Sequence, residues 1–192
     1  RRELQDMAER NAVLAFEQDR MREEEMKSRP VKALAGLKQE LGLKKIPRRI
    51  ECYDISNTAG EHPVGSMVVF EEGLPMPAHY RKFAIRDVEG PDDFAMMAEV
   101  LRRRFRRGDE AGTTGRAPGS VAEAAGIGDS IAPGSDPSFS ARPDLVIVDG
   151  GAGQVSAAAG ALAAAGIKGI PVIGLAKRFE EIHIKGNPRP LR

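Results

Sequence analysis

The chain has 192 residues, of which 41% are hydrophobic and 30% are charged, a balance that excludes a chain disordered throughout and suits one domain with extensions. A net charge of +1 excludes a polycation that binds nucleic acid without selectivity, so any such contact must be local. The single cysteine, Cys52, excludes a disulfide framework and a cysteine-rich zinc site. No apolar run could cross a bilayer and no signal or transit peptide is visible, so we expect a cytoplasmic protein without a membrane partner.

The first 44 residues are typical of a helical lead-in. Good helix formers fill 1–28, and apolar residues recur there at helical spacing. Pro30 is expected to end or interrupt this helix, and a second periodic stretch is expected to end at Gly42. We interpret 1–44 as a lead-in to a domain at 45–192. A coiled coil is the alternative, but the heptads are too few to support it.

Three strands with short connections open the domain. Residues 50–55 favour a strand that ends at the punctuation around Asn57, 64–70 favour a second, and 80–85 favour a third. Their short connections predict antiparallel neighbours. A helix is then expected from Pro91 to about residue 107, since proline and carboxylates suit a helix start.

The predicted helix has an apolar stripe that should be buried, while most of its arginines should stay outside. The stripe consists of Phe94, Met97, Val100, Leu101 and Phe105. Residues 108–143 are rich in glycine, serine, alanine and proline with little periodicity, so we predict a flexible insertion there.

The last part of the chain alternates strand and helix. An apolar run at 145–148 leads into Asp149 and two glycines, an alanine-rich helix should follow at 154–165, and 171–176 favours a strand parallel to its predecessor. Residues 181–185 could add a hairpin strand. With right-handed crossovers, these elements predict an α/β fold with a mixed five-stranded sheet, order 3-2-1-4-5, flanked by helices.

In that order, Asp54 and Asp149 lie on adjacent strands. Two neighbouring carboxylates repel one another and one is driven to protonate, whereas a divalent cation keeps both ionised. Mg²⁺ or Mn²⁺ suits such hard oxygen ligands and can activate a water in phosphodiester hydrolysis. Taken singly, Asp149 could instead be a helix N-cap and Asp54 a buried partner for an arginine.

A nucleotide-binding site is the main rival interpretation, because Gly150, Gly151 and Gly153 precede a helix. The cluster lacks a third suitably spaced glycine, and no Gly-Lys-Ser/Thr follows it. The opening three-strand meander also differs from a strand-helix-strand start. We therefore favour the metal-dependent interpretation.

The motifs resemble the UvrC family, the C subunits of the bacterial UvrABC excinuclease. The segments that carry the resemblance are RIECYDISN at 49–57 and PDLVIVDGGAGQ at 143–154. Shorter matches follow in the family's order: VVF at 68–70, YRKF at 80–83, DDF at 92–94, RRF at 103–105 and GLAK at 174–177. The similarity covers about 34–192, with the insertion unmatched.

This resemblance implies an RNase H-like endonuclease fold that makes the 5′ incision at DNA lesions in nucleotide excision repair, acting on damaged double-stranded DNA. It implies that Asp54 and Asp149 are the catalytic, metal-binding carboxylates. The family's third catalytic group is a histidine in a later Asp-Glu-X-His-Arg-Phe segment, which we expect beyond residue 192. His62, His79 and His183 are better interpreted as exposed or packing residues.

The family also has a GIY-YIG nuclease domain for the other incision, a UvrB-binding segment and a helix-hairpin-helix module, so we expect a fragment of a longer protein that contacts UvrB. The fragment alone could be inactive and only dock DNA or a repair partner. Lys177 and Arg178 follow the fifth strand at the end of the sheet where Asp149 lies, and we predict that they contact DNA phosphates. Arg81 and Lys82 are further candidates for that contact.

Overall fold

This computed structural model describes residues 2–56, 63–88, 90–113, 136–177, 181–187 and 189–191. They form two compact units, Arg1–Ile46 and Pro47–Arg192. None of the described helices has an apolar stretch long enough to cross a membrane.

The first unit consists mainly of one long helix, α1 (Arg2–Glu40), which runs through Pro30. The predicted break at Pro30 is therefore wrong. Proline removes a single backbone donor, and the good helix formers on both sides continue the helix. The predicted end at Gly42 is confirmed: Gly42 has a φ of +61°, and Leu43 N donates to Lys38 O at 2.9 Å, which is a glycine-based helix terminus.

The second unit is built on a mixed sheet. The strands among the described residues are β1 (Arg49–Ser56), β2 (Val64–Glu71), β3 (Leu74–Pro75), β4 (Arg81–Ala84), β5 (Leu145–Asp149), β6 (Val172–Ala176) and β7 (Glu181–Ile184). Their order is β3-β2-β1-β5-β6-β7, and β4 also pairs with β2. The predicted five-stranded order is confirmed as β4-β2-β1-β5-β6. The additions are the two-residue strand β3 and the edge strand β7, which the sequence suggested as a hairpin.

Strand directions follow from the connections. The strand β1 is antiparallel to β2 and parallel to β5, and β6 is parallel to β5, while β7 returns antiparallel to β6. Short loops allow the antiparallel pairs, and the crossovers through helices give the parallel ones. This topology puts the C-terminal ends of β1, β5 and β6 at the same edge of the sheet.

Two helices, α2 (Asp93–Thr113) and α4 (Ala152–Ala164), cover one face of this sheet. The core between these helices and the sheet contains Tyr53, Val148, Val100 and Val155. The predicted buried stripe of α2 is confirmed except for Phe94, which is 48% exposed. Phe94 lies in the first turn of α2 beside Gly153, where the ring meets the start of α4 rather than the sheet.

The sequence predicted that most arginines of α2 lie outside, and Arg104 is an exception. Arg104 is only 1% exposed and its guanidinium donates two hydrogen bonds, of 3.1 and 2.7 Å, to the Glu51 carboxylate on β1. Arg49 and the Tyr53 hydroxyl also donate to Glu51. A buried charge needs such partners, and Glu51 has all three.

The predicted flexible insertion at 108–143 is shorter at both ends than its composition suggested. Residues 108–113 continue α2, and Pro137–Ser140 form a short helix, α3. The Asp136 side chain caps α3 by accepting from Ser138 N at 2.9 Å, and the carbonyl of the buried Phe139 accepts a hydrogen bond from Arg104. Residues 114–135, where the rest of this prediction falls, lie outside the described residues.

Candidate active site

Asp54 and Asp149 lie side by side on neighbouring strands. Tyr53 pairs with Val148 in the parallel ladder between β1 and β5, so the next residue on each strand is an aspartate. Tyr53 and Val148 point into the core beneath the helices, and side chains alternate along a strand. The two aspartates therefore share the opposite face of the sheet, at the edge where both strands end.

Lys177 completes a compact charged cluster with these aspartates. It follows β6 directly, and its Nζ lies 2.6 Å from Asp149 Oδ2 and 3.9 Å from Asp54 Oδ1. The exposed fractions of the side chains are 70% for Lys177, 43% for Asp54 and 28% for Asp149. The cluster is thus open to solvent, with one ammonium group between two carboxylates.

The pKa values of the two carboxyl groups move in opposite directions. A hydrogen bond with Asp149, followed by partial burial, raises the pKa of Asp54. Burial pushes the pKa of Asp149 upward as well, but the hydrogen bonds with Asp54 and Lys177 outweigh it and lower that pKa. Because like charges repel at this range, Asp54 is the carboxyl group of the pair that takes up a proton first as the pH falls.

Short local contacts hold both aspartates in place. Ser56 Oγ donates to Asp54 Oδ2 at 3.1 Å, since residues two apart on a strand share a face. After Asp149 the chain turns through Gly150, whose φ of +142° favours glycine, and Gly150 N donates to Leu175 O at 3.1 Å. The loop that follows Asp149 is therefore tied to β6.

The structural alternatives for the aspartates do not hold. The N-cap of α4 is Gly151, not Asp149, and Gly151 N donates to Gln154 Oε1 at 3.2 Å. Asp54 is nearly half exposed, and among the described residues the cationic side chain that pairs with it is Lys177. Neither carboxylate is thus explained by capping or by a buried ion pair with arginine.

Packing and backbone geometry account for the glycine cluster without a bound nucleotide. A Cβ on Gly153 would lie 2.7 Å from Phe94 Cε1, and Gly150 has a positive φ. The amide of Gly151, which a phosphate would need at the helix start, is already bonded to Gln154. These contacts remove the main reason for a nucleotide-binding interpretation.

Lys82 shares the face of the aspartates, whereas Arg81 does not. Asp54 pairs with Ser66 on β2, and Ser66 pairs with Lys82 on β4, so all three lie in one row across the sheet. Lys82 is exposed, about 10 Å from the β1 strand at the usual strand spacing. Arg81 points to the other face, where it donates two 2.6 Å hydrogen bonds to Asp136. Arg178 lies outside the described residues.

Two of the three histidines fall within the described residues. His79 Nδ1 lies 3.3 Å from Glu71 Oε1, away from the aspartates. His183 on β7 is 22% exposed, and a Cβ built on Gly151 would lie 3.8 Å from its Nε2. Since His183 pairs with Gly174 on the helix-covered face, it lies near the loop after Asp149 but across the sheet from the carboxylates. His62 lies outside the described residues.

Sequence reasoning missed Ser56 and Phe94. The signal for Ser56 was its spacing of two residues from Asp54 in a strand. Phe94 was predicted to be buried because it fits the helical spacing of the apolar residues in α2. That spacing does not show that the first turn of the helix lies beyond the core. Within the described part of the chain, no cluster of three or more His, Cys, Asp or Glu residues could hold a metal ion.

Comparisons with known proteins show the family of the chain. The model of the family described as "UvrC RNAse H endonuclease domain" matches residues 38–192. The UvrABC system protein C of Parafrankia sp. (strain EAN1pec) is 43% identical over 201 residues, which cover 100% of this chain and 28% of that protein. The UvrABC system protein C of Thermobifida fusca (strain YX) is 48% identical over 165 residues, covering 83% of this chain and 24% of that protein.

Among solved structures, Ciona intestinalis endonuclease V in complex with a 24mer DNA containing an inosine followed by a ribo-adenosine has a TM-score of 0.39 at 12% identity. That match covers 79% of this chain and 57% of the other. The chain spans about a quarter of the length of the curated relatives it matches. With the family model matching most of its length and whole-chain identity above 40%, the chain belongs to the UvrC RNase H endonuclease domain family.

Proposed function

We propose that this chain is the endonuclease domain that makes the 5′ incision at DNA lesions in nucleotide excision repair, by divalent-metal-dependent hydrolysis of a phosphodiester bond. The observation that carries the proposal is the pairing of Asp54 and Asp149 at one edge of the sheet around a cation, Lys177 Nζ. Residues 45–192 would form the catalytic domain and 1–44 a helical lead-in.

Mg²⁺ or Mn²⁺ fits the donor set that the two aspartates offer. Their carboxylate oxygens are hard ligands, and an ammonium nitrogen already lies between them at 2.6 and 3.9 Å. Their partial exposure leaves room for water, which Mg²⁺ retains when only one or two carboxylates bind it. Such an ion, when bound, would activate the attacking water and stabilise the leaving oxygen.

The residues around the pair have separable roles in this proposal. Asp54 and Asp149 bind the cation, and Ser56 holds the carboxylate of Asp54 through its 3.1 Å hydrogen bond. Lys82 and Lys177 contact DNA phosphates on the face of the sheet that carries the aspartates, and Arg178 is a further candidate beside Lys177. Arg81 is engaged by Asp136 on the other face, which favours a structural role for it over DNA contact.

Damaged double-stranded DNA is the proposed substrate, and UvrB the proposed partner through other parts of the full-length protein, in the bacterial cytoplasm. A chain that only docks DNA or a repair partner would need the positive side chains but not the carboxylates. The proposal therefore rests on the aspartates.

The test is incision of a lesion-bearing duplex by the full-length protein that carries this chain, in a reconstituted UvrABC reaction with Mg²⁺. Asp54→Asn and Asp149→Asn should each reduce 5′ incision by about a hundredfold or more, because each removes a ligand of an ion that supplies several kcal/mol of transition-state stabilisation. The 3′ incision on the same duplex should persist.

Asp87→Asn is the matched control, because it removes one negative charge from an exposed residue whose backbone amide donates to Glu99 on α2. It should leave 5′ incision at the level of the unsubstituted protein. Normal 5′ incision by both Asp54→Asn and Asp149→Asn would refute the proposed role, and retained DNA binding would then favour a docking function.

A further inference from the structure

Lys177 lies where a catalytic cation would be expected. Its Nζ is 2.6 Å from Asp149 Oδ2 and 3.9 Å from Asp54 Oδ1, so a single positive group is shared by the two carboxylates. The side chain is 70% exposed and follows the last residue of β6 on a flexible four-carbon stem. Its position is thus fixed by charge rather than by packing.

We propose that Lys177 is an internal counter-ion that competes with the divalent cation for Asp149 and, once displaced, contacts the phosphate next to the bond that is cut. This inference rests on the proposed function, since it assumes that the aspartates bind a metal. It gives one lysine two successive positions, the first between the carboxylates and the second on the DNA.

Electrostatics supports the first position. Without a cation, two carboxylates within hydrogen-bonding reach repel each other, and an ammonium between them offsets that repulsion. A divalent ion that binds Asp149 competes with Lys177 for the same carboxylate, and two positive centres a few ångströms apart repel each other. Binding of the ion therefore requires Lys177 Nζ to leave.

Reach and exposure support the second position. Because 70% of the Lys177 side chain is in solvent, few packing contacts are lost when it rotates away from Asp149. Its stem still begins at the edge of the sheet where β1, β5 and β6 end, so the ammonium stays within a side chain's length of the carboxylates. A phosphate held there by the metal is the nearest new anion for it.

The experiment measures Mn²⁺ binding to the full-length protein by electron paramagnetic resonance, without DNA. Lys177→Met removes the charge and keeps a stem of similar length. The dissociation constant for the ion that depends on Asp149 should fall by about fivefold or more, the order expected when the ion no longer has to break an ion pair of unit charges about 4 Å apart in water. The Lys177→Met, Asp149→Asn double variant supplies the baseline for any other Mn²⁺ sites.

Lys185→Met is the matched control, because it makes the same charge change in the exposed turn after β7. That turn lies at the other end of β7 from Glu181, which pairs with Ala176 next to Lys177. It should leave the Mn²⁺ dissociation constant unchanged. Lys177→Arg retains the charge, so the affinity for Mn²⁺ should stay near that of the unsubstituted protein.

A second measurement should move in the opposite direction. At saturating Mn²⁺, Lys177→Met should lower 5′ incision, because the phosphate contact is lost even though the metal binds more tightly. Unchanged or weaker Mn²⁺ binding by Lys177→Met would overturn the competition, leaving Lys177 a phosphate contact alone or a support for the carboxylates. If Asp54→Asn and Asp149→Asn also left Mn²⁺ binding and incision intact, the proposed function itself would fail.

Discussion

Strand β1 carries two acidic side chains, Glu51 and Asp54, that face opposite sides of the sheet and have opposite surroundings. Glu51 is fully buried, and Arg49, Arg104 and Tyr53 satisfy its oxygens. Asp54 is 43% exposed, lies beside a second carboxylate and has Lys177 Nζ 3.9 Å away. Because side chains alternate between the two faces of a strand, β1 places one carboxylate among buried partners and leaves the other available to a ligand.

Removing the buried charge of Glu51 should have the largest effect on stability. Glu51→Gln should lower the free energy of unfolding by about 3–5 kcal/mol, because it leaves the buried Arg104 guanidinium without its anionic partner. Urea denaturation of the variant and the unsubstituted chain gives the difference.

Glu72→Gln is the matched control for Glu51→Gln, since Glu72 pairs with Arg48 on the surface, where the side chains are 63% and 72% exposed. Its effect should stay below about 1 kcal/mol. Equal losses in the free energy of unfolding for Glu51→Gln and Glu72→Gln would show that burial does not distinguish these ion pairs.

A smaller loss of stability is expected from a substitution at Gly174, beside the loop that follows Asp149. A Cβ on Gly174 would lie 2.4 Å from Gly150 O, a backbone atom in the loop that follows Asp149. Gly174→Ala should therefore cost about 1–3 kcal/mol of stability through overpacking and reduce 5′ incision by shifting Asp149. Thermal denaturation and the incision assay would be made on the same preparation.

Gly160→Ala provides a control of opposite sign for Gly174→Ala. Gly160 lies on the exposed side of α4 with no atom within 4 Å of an added Cβ. Alanine there should stabilise the chain by about 0.5–1 kcal/mol, because glycine inside a helix loses more backbone entropy on folding. Destabilisation by Gly160→Ala, or stabilisation by Gly174→Ala, would contradict the packing described for these positions.

The sequence predicted the exposed site better than the buried one, for a physical reason. Asp54 lies near the end of β1 and Asp149 ends β5; the apolar runs and connections of these strands are local signals, and the strand order then brings the two residues together. Arg104 and Glu51 are 53 residues apart in the chain, and nothing local marks either as buried. A run of arginines on an amphipathic helix predicts a solvated face until the partner strand is known.

Two other features were beyond the reach of local patterns. Pro30 favours a helix end by its own chemistry, but the strong helix formers on both sides of it decide the outcome in α1. The insertion at 108–143 was predicted from composition, yet Asp136 and Phe139 at its C-terminal end bind Arg81 and Arg104 in the core. Composition averages over a segment and does not show which single residues have buried partners.

The smallest expected effect concerns the available carboxylate and its dependence on pH. Asp149 raises the pKa of Asp54 above its ordinary value of 3.8. The stability that proton binding to Asp54 contributes is therefore fully present below pH 3.8, where the group is protonated in both the folded and the unfolded state. This contribution is lost as the pH rises through the raised pKa. In metal-free conditions Asp54→Asn should therefore stabilise the chain near neutral pH by less than about 1 kcal/mol, since solvent screens the half-exposed pair. The gain should shrink as pH falls toward 3.8, whereas a gain that is constant from pH 3 to 7 would show that the Asp149 charge does not act on Asp54. Thermal denaturation at stepped pH in the presence of a chelator measures this difference directly.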